Sequence, residues 1–281
     1  MRTLQAIDYN AADAPQRFAQ SLRDTGFGVL KNHPIAESSV QNIYKCWYEF
    51  FASEDKHEFL FDSEKYDGFF PASMAEAAKG HSSRDLKEYY HFYLWGKCPV
   101  ALREDIANYY NDTTTFASEL LSWVEDNTPV DVKARFSEPL SHMINDCSQS
   151  LLRVLHYPPL SNNHDPDAVR AQAHEDINLL TILPAANEPG LQVLTRDDEW
   201  LDVPCEFGNL IINIGDMLQE ASGGYYPSTT HRVVNPAGAD MEKSRISLPL
   251  FLHPRKDVVL SERYTADSYL QERLAELRKT S

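Results

Sequence analysis

Residues capable of metal chemistry cluster in the second half of the chain. His174 and Asp176 lie two positions apart in AHEDINLLTILP, and His231 follows in STTHRVVNP. Both segments read as the beginnings of strands. Strand side chains alternate between faces, so positions i and i+2 project the same way. An imidazole and a carboxylate would then point inward together, with a second imidazole beside them. Two histidines and one carboxylate on one face form a ligand set suited to Fe(II), with coordination positions left open. Oxidative chemistry needs those positions for O2 and a chelating cosubstrate. Taken alone, an H-x-D pair also reads as a satisfied polar pair, and a single histidine as structural. The metal reading therefore needs a third element.

SRISLPLF, residues 244–251, supplies it. Arg245 and Ser247 share one face of an expected strand, and Ile246 and Leu248 take the other. An arginine in an apolar strand is costly unless an anion meets it. Its rigid fork matches a carboxylate, and a serine hydroxyl adds another donor. An internal Asp or Glu is the plain alternative partner. Beside an upstream H-x-D…H, a bound carboxylate ligand is the better reading.

The elements that must position these residues follow from periodicity. Residues 11–25 carry helical spacing (Ala14, Phe18, Leu22) and stop at Gly26, before a strand over Phe27–Leu30. A second helix is expected over 37–60, then a loop over 62–82 that includes Gly80, and an aromatic strand over 85–95. Helices are expected over 115–127 and 130–156, the latter opened by Ser137-Glu138-Pro139 with Leu140, Met143, Ile144, Cys147, Leu151 and Leu155 as its stripe. From there short apolar runs recur at about ten-residue spacing. Turn signals such as Glu188-Pro189-Gly190 and Pro236-Ala237-Gly238 separate them. That is the texture of an all-β sandwich or barrel. A closing helix is expected over 265–279, with Tyr269, Leu270, Leu274 and Leu277 on one face. The fold class is thus mainly β with flanking helices. The chain reads as a single catalytic unit, 1–281: a mostly helical region over 1–155, a β core over 156–262 and a C-terminal helix over 263–281.

With these motifs in place, the sequence resembles the isopenicillin N synthase-like superfamily of Fe(II)- and 2-oxoglutarate-dependent dioxygenases. The likeness runs through His-Tyr-Pro at 156–158, HEDINLLTIL at 174–183, GLQV at 190–193 and EWLDV at 199–203. It continues through LIINIGDMLQEASGGYYPSTTHRVVNP at 210–236 and RISLPLFLHP at 245–254. More loosely, GFGVLKNHPI at 26–35, YEFFASEDK at 48–56 and DLKEYYHF at 85–92 agree as well.

The resemblance implies a double-stranded β-helix, or jelly roll. It carries the iron ligands onto His174, Asp176 and His231, and the carboxylate-binding pair onto Arg245 and Ser247. Tyr157 matches a tyrosine that reaches the cosubstrate or substrate carboxylate, and Phe251 a position lining the substrate pocket. Tyr66, Phe70, Lys87 and His91, with the loops from Tyr66 to Pro71 and Asp85 to Tyr93, are the further candidates for that pocket. The implied cofactors are Fe(II), 2-oxoglutarate as cosubstrate and O2. The implied reaction oxidises a small molecule, an amino acid or natural-product intermediate, by hydroxylation, desaturation or cyclisation, with release of succinate and CO2.

The alternative is a 2-oxoglutarate-independent Fe(II) oxidase, in which Arg245 and Ser247 hold the substrate's own carboxylate. Tyr66 falls where isopenicillin N synthase grips its tripeptide with an arginine, which argues against penicillin formation. A third reading, a non-catalytic jelly-roll module, has no need of an open-sided iron site.

Composition narrows the partners. Lys plus Arg number 26 and Asp plus Glu 42 in 281 residues, a net charge of −16. Such a surface repels phosphate backbones and anionic lipid, so neither nucleic acid nor membrane is an expected partner. An anionic substrate would need a locally positive pocket. Cys46, Cys98, Cys147 and Cys205 are scattered and read as reduced thiols. MRTLQAIDYN lacks an apolar signal core, and no run approaches the ~18 apolar residues of a membrane span. A cytoplasmic setting is the expectation. Nothing in the pattern specifies an oligomeric state.

Overall fold

Alternation in the strands, more than helix packing, organises the chain. The computed structural model describes residues 4–74, 86–159, 169–185, 189–235 and 242–280. Gly80, Asp85, Glu188, the Pro236-Ala237-Gly238 turn and the side chain of Leu277 lie outside what is described.

The first half runs β1 (Ala6–Asp8), α1 (Ala14–Thr25), β2 (Phe27–Lys31), α2 (Glu37–Ala52), β3 (Gly68–Phe70), β4 (Glu88–Phe92), α3 (Val100–Asp126) and α4 (Val130–Lys133). The second half begins with β5 (Leu151–Tyr157), β6 (Ala171–His174), β7 (Leu180–Pro184), β8 (Leu191–Leu194), β9 (Trp200–Asp202) and β10 (Leu210–Ile214). It ends with α5 (Asp216–Ala221), β11 (His231–Val233), β12 (Arg245–Ser247), β13 (Leu250–Leu252) and α6 (Ala266–Thr280).

The strands form two sheets. The larger has the order β1-β2-β10-β7-β13-β5-β4-β3, with β12 also paired to β5; the smaller is β6-β11-β8-β9. Among the described strands, β1 and β2 pair in parallel and the other ladders are antiparallel. The front of the chain does more than wrap the core, because β1 to β4 extend the large sheet.

The outer face of that sheet carries Tyr90, Leu152, Val154, Ile182, Leu210, Ile212 and Leu250, all fully buried. They belong to one core with Phe18 and Leu22 of α1, Ile43 and Trp47 of α2, and Phe116 and Leu120 of α3. Trp47 meets Tyr90 edge to face at 5.0 Å. Each such side chain contributes about 1.5–3 kcal/mol by leaving water. On the inner face, Phe27, Val29 and Ile211 pack against Leu191, Val193 and Val233 of the small sheet. This second apolar cluster closes one end of the jelly roll, and a third, of Phe70, Tyr89, Leu155 and Tyr157, lines the interior farther along.

Four sequence expectations are corrected. The helix over 130–156 is absent: α4 ends at Lys133, turns follow, and Leu151–Tyr157 is β5. Pro139 cannot donate to a continuing helix. Leu151 and Leu155 also fit both an i, i+4 helix stripe and one face of a strand. Backbone pairing with β4, β12 and β13 decides for the strand. The helix expected over 115–127 begins at Val100 instead. Its first turns, residues 100–112, are broken up by charged and amide side chains, and a threonine run follows, where the hydroxyls of Thr114 and Thr115 bond back to carbonyls four residues earlier. Within the expected loop at 62–82, Gly68–Phe70 is strand β3. The helix at 37–60 stops at Ala52, and Ser53 caps a separate turn by accepting from the Asp55 N–H.

Candidate active site

The ligand triad converges, though by a different local route than strand alternation. His174 is the last residue of β6, and Asp176 lies past it in the turn before β7, so the pair does not share a strand. That turn is clamped to the start of α5. The Asp216 N–H donates to the Asp176 carbonyl at 2.9 Å, and the Met217 N–H to the Asn178 carbonyl at 3.1 Å. Gly215 passes so close that a Cβ there would collide with the Asn178 carbonyl. His231 opens β11 and sits opposite His174 in the ladder.

The donor atoms of His174, Asp176 and His231 all lie within 4.8 Å of one another. Asp176 Oδ1 is 3.7 Å from His174 Nε2 and 3.8 Å from His231 Nε2. Each imidazole is held through its other nitrogen. His174 Nδ1 donates to the Gln172 carbonyl at 2.7 Å, and His231 Nδ1 to the Thr229 carbonyl at 3.1 Å. Both Nε2 lone pairs are therefore left for a metal. Asp176 Oδ2 accepts from Asn213 Nδ2 at 2.8 Å and from the Thr181 hydroxyl. These bonds hold its other oxygen toward the histidines.

Electrostatics agree with a set of ligands ready for a cation. Although part of its side chain stays open to solvent, the loss of water on its packed side, then the facing His231, pushes His174 down to about 4, so its ring is neutral. Burial raises the Asp176 carboxyl, but His231, His174 and the bonds from Asn213 and Thr181 outweigh it and hold it below the usual range. His174 is the open member, 42% exposed, while Asp176 and His231 are buried.

Sheet register gathers the remaining candidates. Asn213 pairs with Thr181, Thr181 with Phe251, and Phe251 with Leu151. Paired residues face the same side, so the side bearing Asp176 also bears residues 151, 153, 155 and 157 of β5. Arg245 pairs with Tyr157 and Ser247 with Leu155, which places both on this inner face. Arg245 is 5% exposed, and its Nε has no hydrogen-bond partner. Its hydrogen bond is a long one, 3.5 Å from Nη1 to the Pro189 carbonyl. No carboxylate among the described residues pairs with it. A buried guanidinium left in that state calls for an anion. The Tyr157 ring lies 5.9 Å from its centre and 5.8 Å from that of Arg170, another fully buried arginine.

The aromatic candidates divide by alternation. Phe69, Tyr90 and Phe92 join the outer core, whereas Phe70 and Tyr89 form an inner cluster with Leu155 and Tyr157. His91 faces inward beside Phe70, their ring centres 4.5 Å apart. Lys87, one residue before β4, is buried, and its charge helps depress His174. Tyr66 contributes its carbonyl, which accepts from His91 Nδ1; its side chain is exposed. Thr181, Asn213 and Arg153 were not among the sequence candidates. The signal available for all three was a polar residue within an apolar strand run: NLLTILP, LIINI and LLRVLHY.

Comparison with known proteins matches this geometry. A family model for the 2OG-Fe(II) oxygenase superfamily matches residues 148–254. A second, for the N-terminal region of non-haem dioxygenases in morphine synthesis, matches residues 4–110. A crystal structure from Shewanella oneidensis, assigned as an oxygenase, is 60% identical with a TM-score of 0.91, covering 98% of this chain and 99% of that one. One from Caulobacter crescentus, assigned to the 2OG-Fe(II) oxygenase family, is 30% identical with a TM-score of 0.82, covering 99% and 100%. Flavonol synthase/flavanone 3-hydroxylase of Matthiola incana is 26% identical over 84% of this chain and 80% of its own. The chain belongs to the 2OG-Fe(II) oxygenase superfamily, the isopenicillin N synthase-like non-haem dioxygenases that use Fe(II), 2-oxoglutarate and O2.

Proposed function

We propose that His174, Asp176 and His231 hold the iron, and that Arg245 and Ser247, with Tyr157 alongside, hold the distal carboxylate of 2-oxoglutarate. The observation that carries this is the buried Arg245 guanidinium, without a carboxylate partner among the described residues, on the sheet face that bears Asp176. Bound iron with 2-oxoglutarate supplies O2 activation coupled to loss of CO2. The protein's own part is orientation. Thr181 and Asn213 set the Asp176 carboxylate, the Gln172 and Thr229 carbonyls set the imidazoles, and Ser247 stands one alternation from Arg245 as an additional donor. Phe70, Tyr89, Phe251 and the neighbouring leucines keep the adjoining space apolar, which limits side reactions with water.

The reaction is oxidation of a small molecule, an amino acid or natural-product intermediate, by hydroxylation, desaturation or cyclisation. The whole chain acts as one catalytic unit. The test is an anaerobic titration of the Fe(II) protein with 2-oxoglutarate, followed in the visible range. A weak charge-transfer band is expected on chelation, and R245Q should need far more 2-oxoglutarate to reach it. Iron retained without any band would move Arg245 and Ser247 to the substrate's own carboxylate and leave an oxidase that needs no keto acid.

A further inference from the structure

The turn that carries Asp176 is zipped to the start of α5, and α6 braces that start from outside. Three backbone hydrogen bonds make the zip. The Gly215 N–H donates to the Leu179 carbonyl at 3.0 Å, the Asp216 N–H to the Asp176 carbonyl at 2.9 Å, and the Met217 N–H to the Asn178 carbonyl at 3.1 Å. The second bond ends on a candidate iron ligand. The residue that donates it, Asp216, has a buried side chain whose Oδ1 lacks a hydrogen-bond partner. The Tyr269 hydroxyl of α6 donates to this carboxyl. Arg273, one turn further along α6, attracts it as well, whereas Glu175 and Asp176 repel it.

The docking of α6 suits it to this task. Its first turn is fastened by the Ala266 N–H, which donates to the Val258 carbonyl at 2.8 Å, and by the Asp267 N–H, which donates to the Lys256 carbonyl at 3.1 Å. Ala266 and Leu270 then meet Met217 and His253 across a narrow seam. Tyr269 is buried and shares the large core with Met217. Tyr264 packs edge-on against its ring at 5.0 Å, and the Arg273 guanidinium lies 5.2 Å from the ring centre. A buried tyrosine hydroxyl needs a partner, and a buried carboxyl is costly without one. Asp176 and Asp216 are joined by a backbone bond, yet their carboxyls push apart, and burial strengthens that push. Tyr269 and Arg273 offset it from the α6 side. Asp216 is thereby kept where its N–H meets the Asp176 carbonyl.

We infer that Tyr269 is a positioning residue for the metal centre: through Asp216, the C-terminal helix holds the turn from which Asp176 reaches the iron. The contacts run from the Tyr269 hydroxyl to the Asp216 carboxyl, and from the Asp216 N–H to the Asp176 carbonyl. Thr181 and Asn213 aim the Asp176 carboxylate. Tyr269 steadies the backbone that carries it. That role rests on the proposed function for the identity of the metal. In the sequence Tyr269 belongs to the apolar stripe of the closing helix, and its hydroxyl serves a purpose that the stripe does not show.

The test compares two hydroxyl deletions on neighbouring rings. Y269F removes the tie to Asp216. Y264F removes the bond from Tyr264 to Glu272, 2.8 Å long, which ends within α6 and leads nowhere near the iron ligands. Fe(II) affinity is measured anaerobically by competition against a chelator. Y269F should weaken it about three- to tenfold, less than the about 10–100-fold that loss of a side chain bonded directly to a ligand costs. Y264F should keep the wild-type value. In the metal-free protein, hydrogen exchange at the Asp216 and Met217 amides should quicken several-fold in Y269F and keep its wild-type rate in Y264F. Adding Y269F to D216A should change neither reading further, because the hydroxyl then has no carboxyl to hold. Wild-type iron affinity or wild-type amide exchange in Y269F, an equal loss in Y264F, or a further loss in the double variant would each overturn the inference. Wild-type protein that takes up no Fe(II), with the amides responding as expected, would instead strike the iron assignment and leave the tie from α6 standing.

Discussion

The two faces of the large sheet are built from the same strands and do opposite work. On β5, Leu152 and Val154 turn outward into a core shared with α2 and α3, whereas Arg153, Leu155 and Tyr157 turn inward to the site. On β10, Leu210, Ile212 and Ile214 face outward, and Asn213 reaches inward to Asp176. The outer face is satisfied by apolar contact, with the Glu88–His156–Lys56 cluster as its polar exception. The inner face keeps a buried arginine without a carboxylate partner among the described residues, and turns toward the three candidate metal ligands. Neighbouring residues on one strand therefore divide stability from function, because the pleat separates them onto opposite sides. Such a sheet can carry the cost of an unsatisfied site on one side, since helix packing on the other offsets it.

That division predicts different symptoms for inward and outward substitutions. The largest effect is expected for H231A. Iron per chain after gel filtration should fall by more than the about 10–100-fold that loss of a supporting residue costs, with turnover lost and the urea midpoint little changed. R245Q comes next, weakening 2-oxoglutarate by about 2–5 kcal/mol, as loss of one member of a buried charge pair does; a titration of the charge-transfer band measures it. L152A reverses the pattern. Removing this fully buried outward side chain should cost about 2–5 kcal/mol of stability, while the 2-oxoglutarate Kd of the folded protein stays at the wild-type value. If L152A moved that Kd as much as R245Q does, the two faces would not be separable.

Smaller effects sharpen the boundary. T181V removes one of two donors to Asp176 Oδ2 and should weaken iron binding about 10–100-fold by competition against a chelator. E88Q tests the outward polar exception. Burial raises the Glu88 carboxyl, but bonds from His156 and Lys56 outweigh it and leave it below the usual range. A carboxyl lowered on folding contributes stability above its ordinary range, and that contribution is lost as pH falls through its folded value. E88Q should therefore cost about 1–3 kcal/mol at neutral pH, and its urea midpoint should converge with wild type as the solution is made acid.

Much of the site was legible before any tertiary information. The types and order of His174, Asp176, His231, Arg245 and Ser247 are chemistry written directly into the sequence. So is the alternation that puts Arg245 and Ser247 on one side of β12. The apolar stripe of α1 was equally plain, since Ala14, Phe18 and Leu22 at helical spacing admit one buried side. Less legible was anything that depends on a partner strand. LLRVLHY satisfies two periodicities, and only pairing with β4, β12 and β13 selects the strand and thereby turns Arg153 inward.

The sequence by itself thus determined which atoms could bind iron and a carboxylate, because donor type is a property of a residue. The tertiary structure decided where those atoms meet. Asp176 reaches the histidines from a turn, through contacts with α5 and with Thr181 and Asn213 that come from elsewhere in the chain. The inward face of β5 became a site because strands distant in sequence align their registers, and register is set by hydrogen bonds between chain segments.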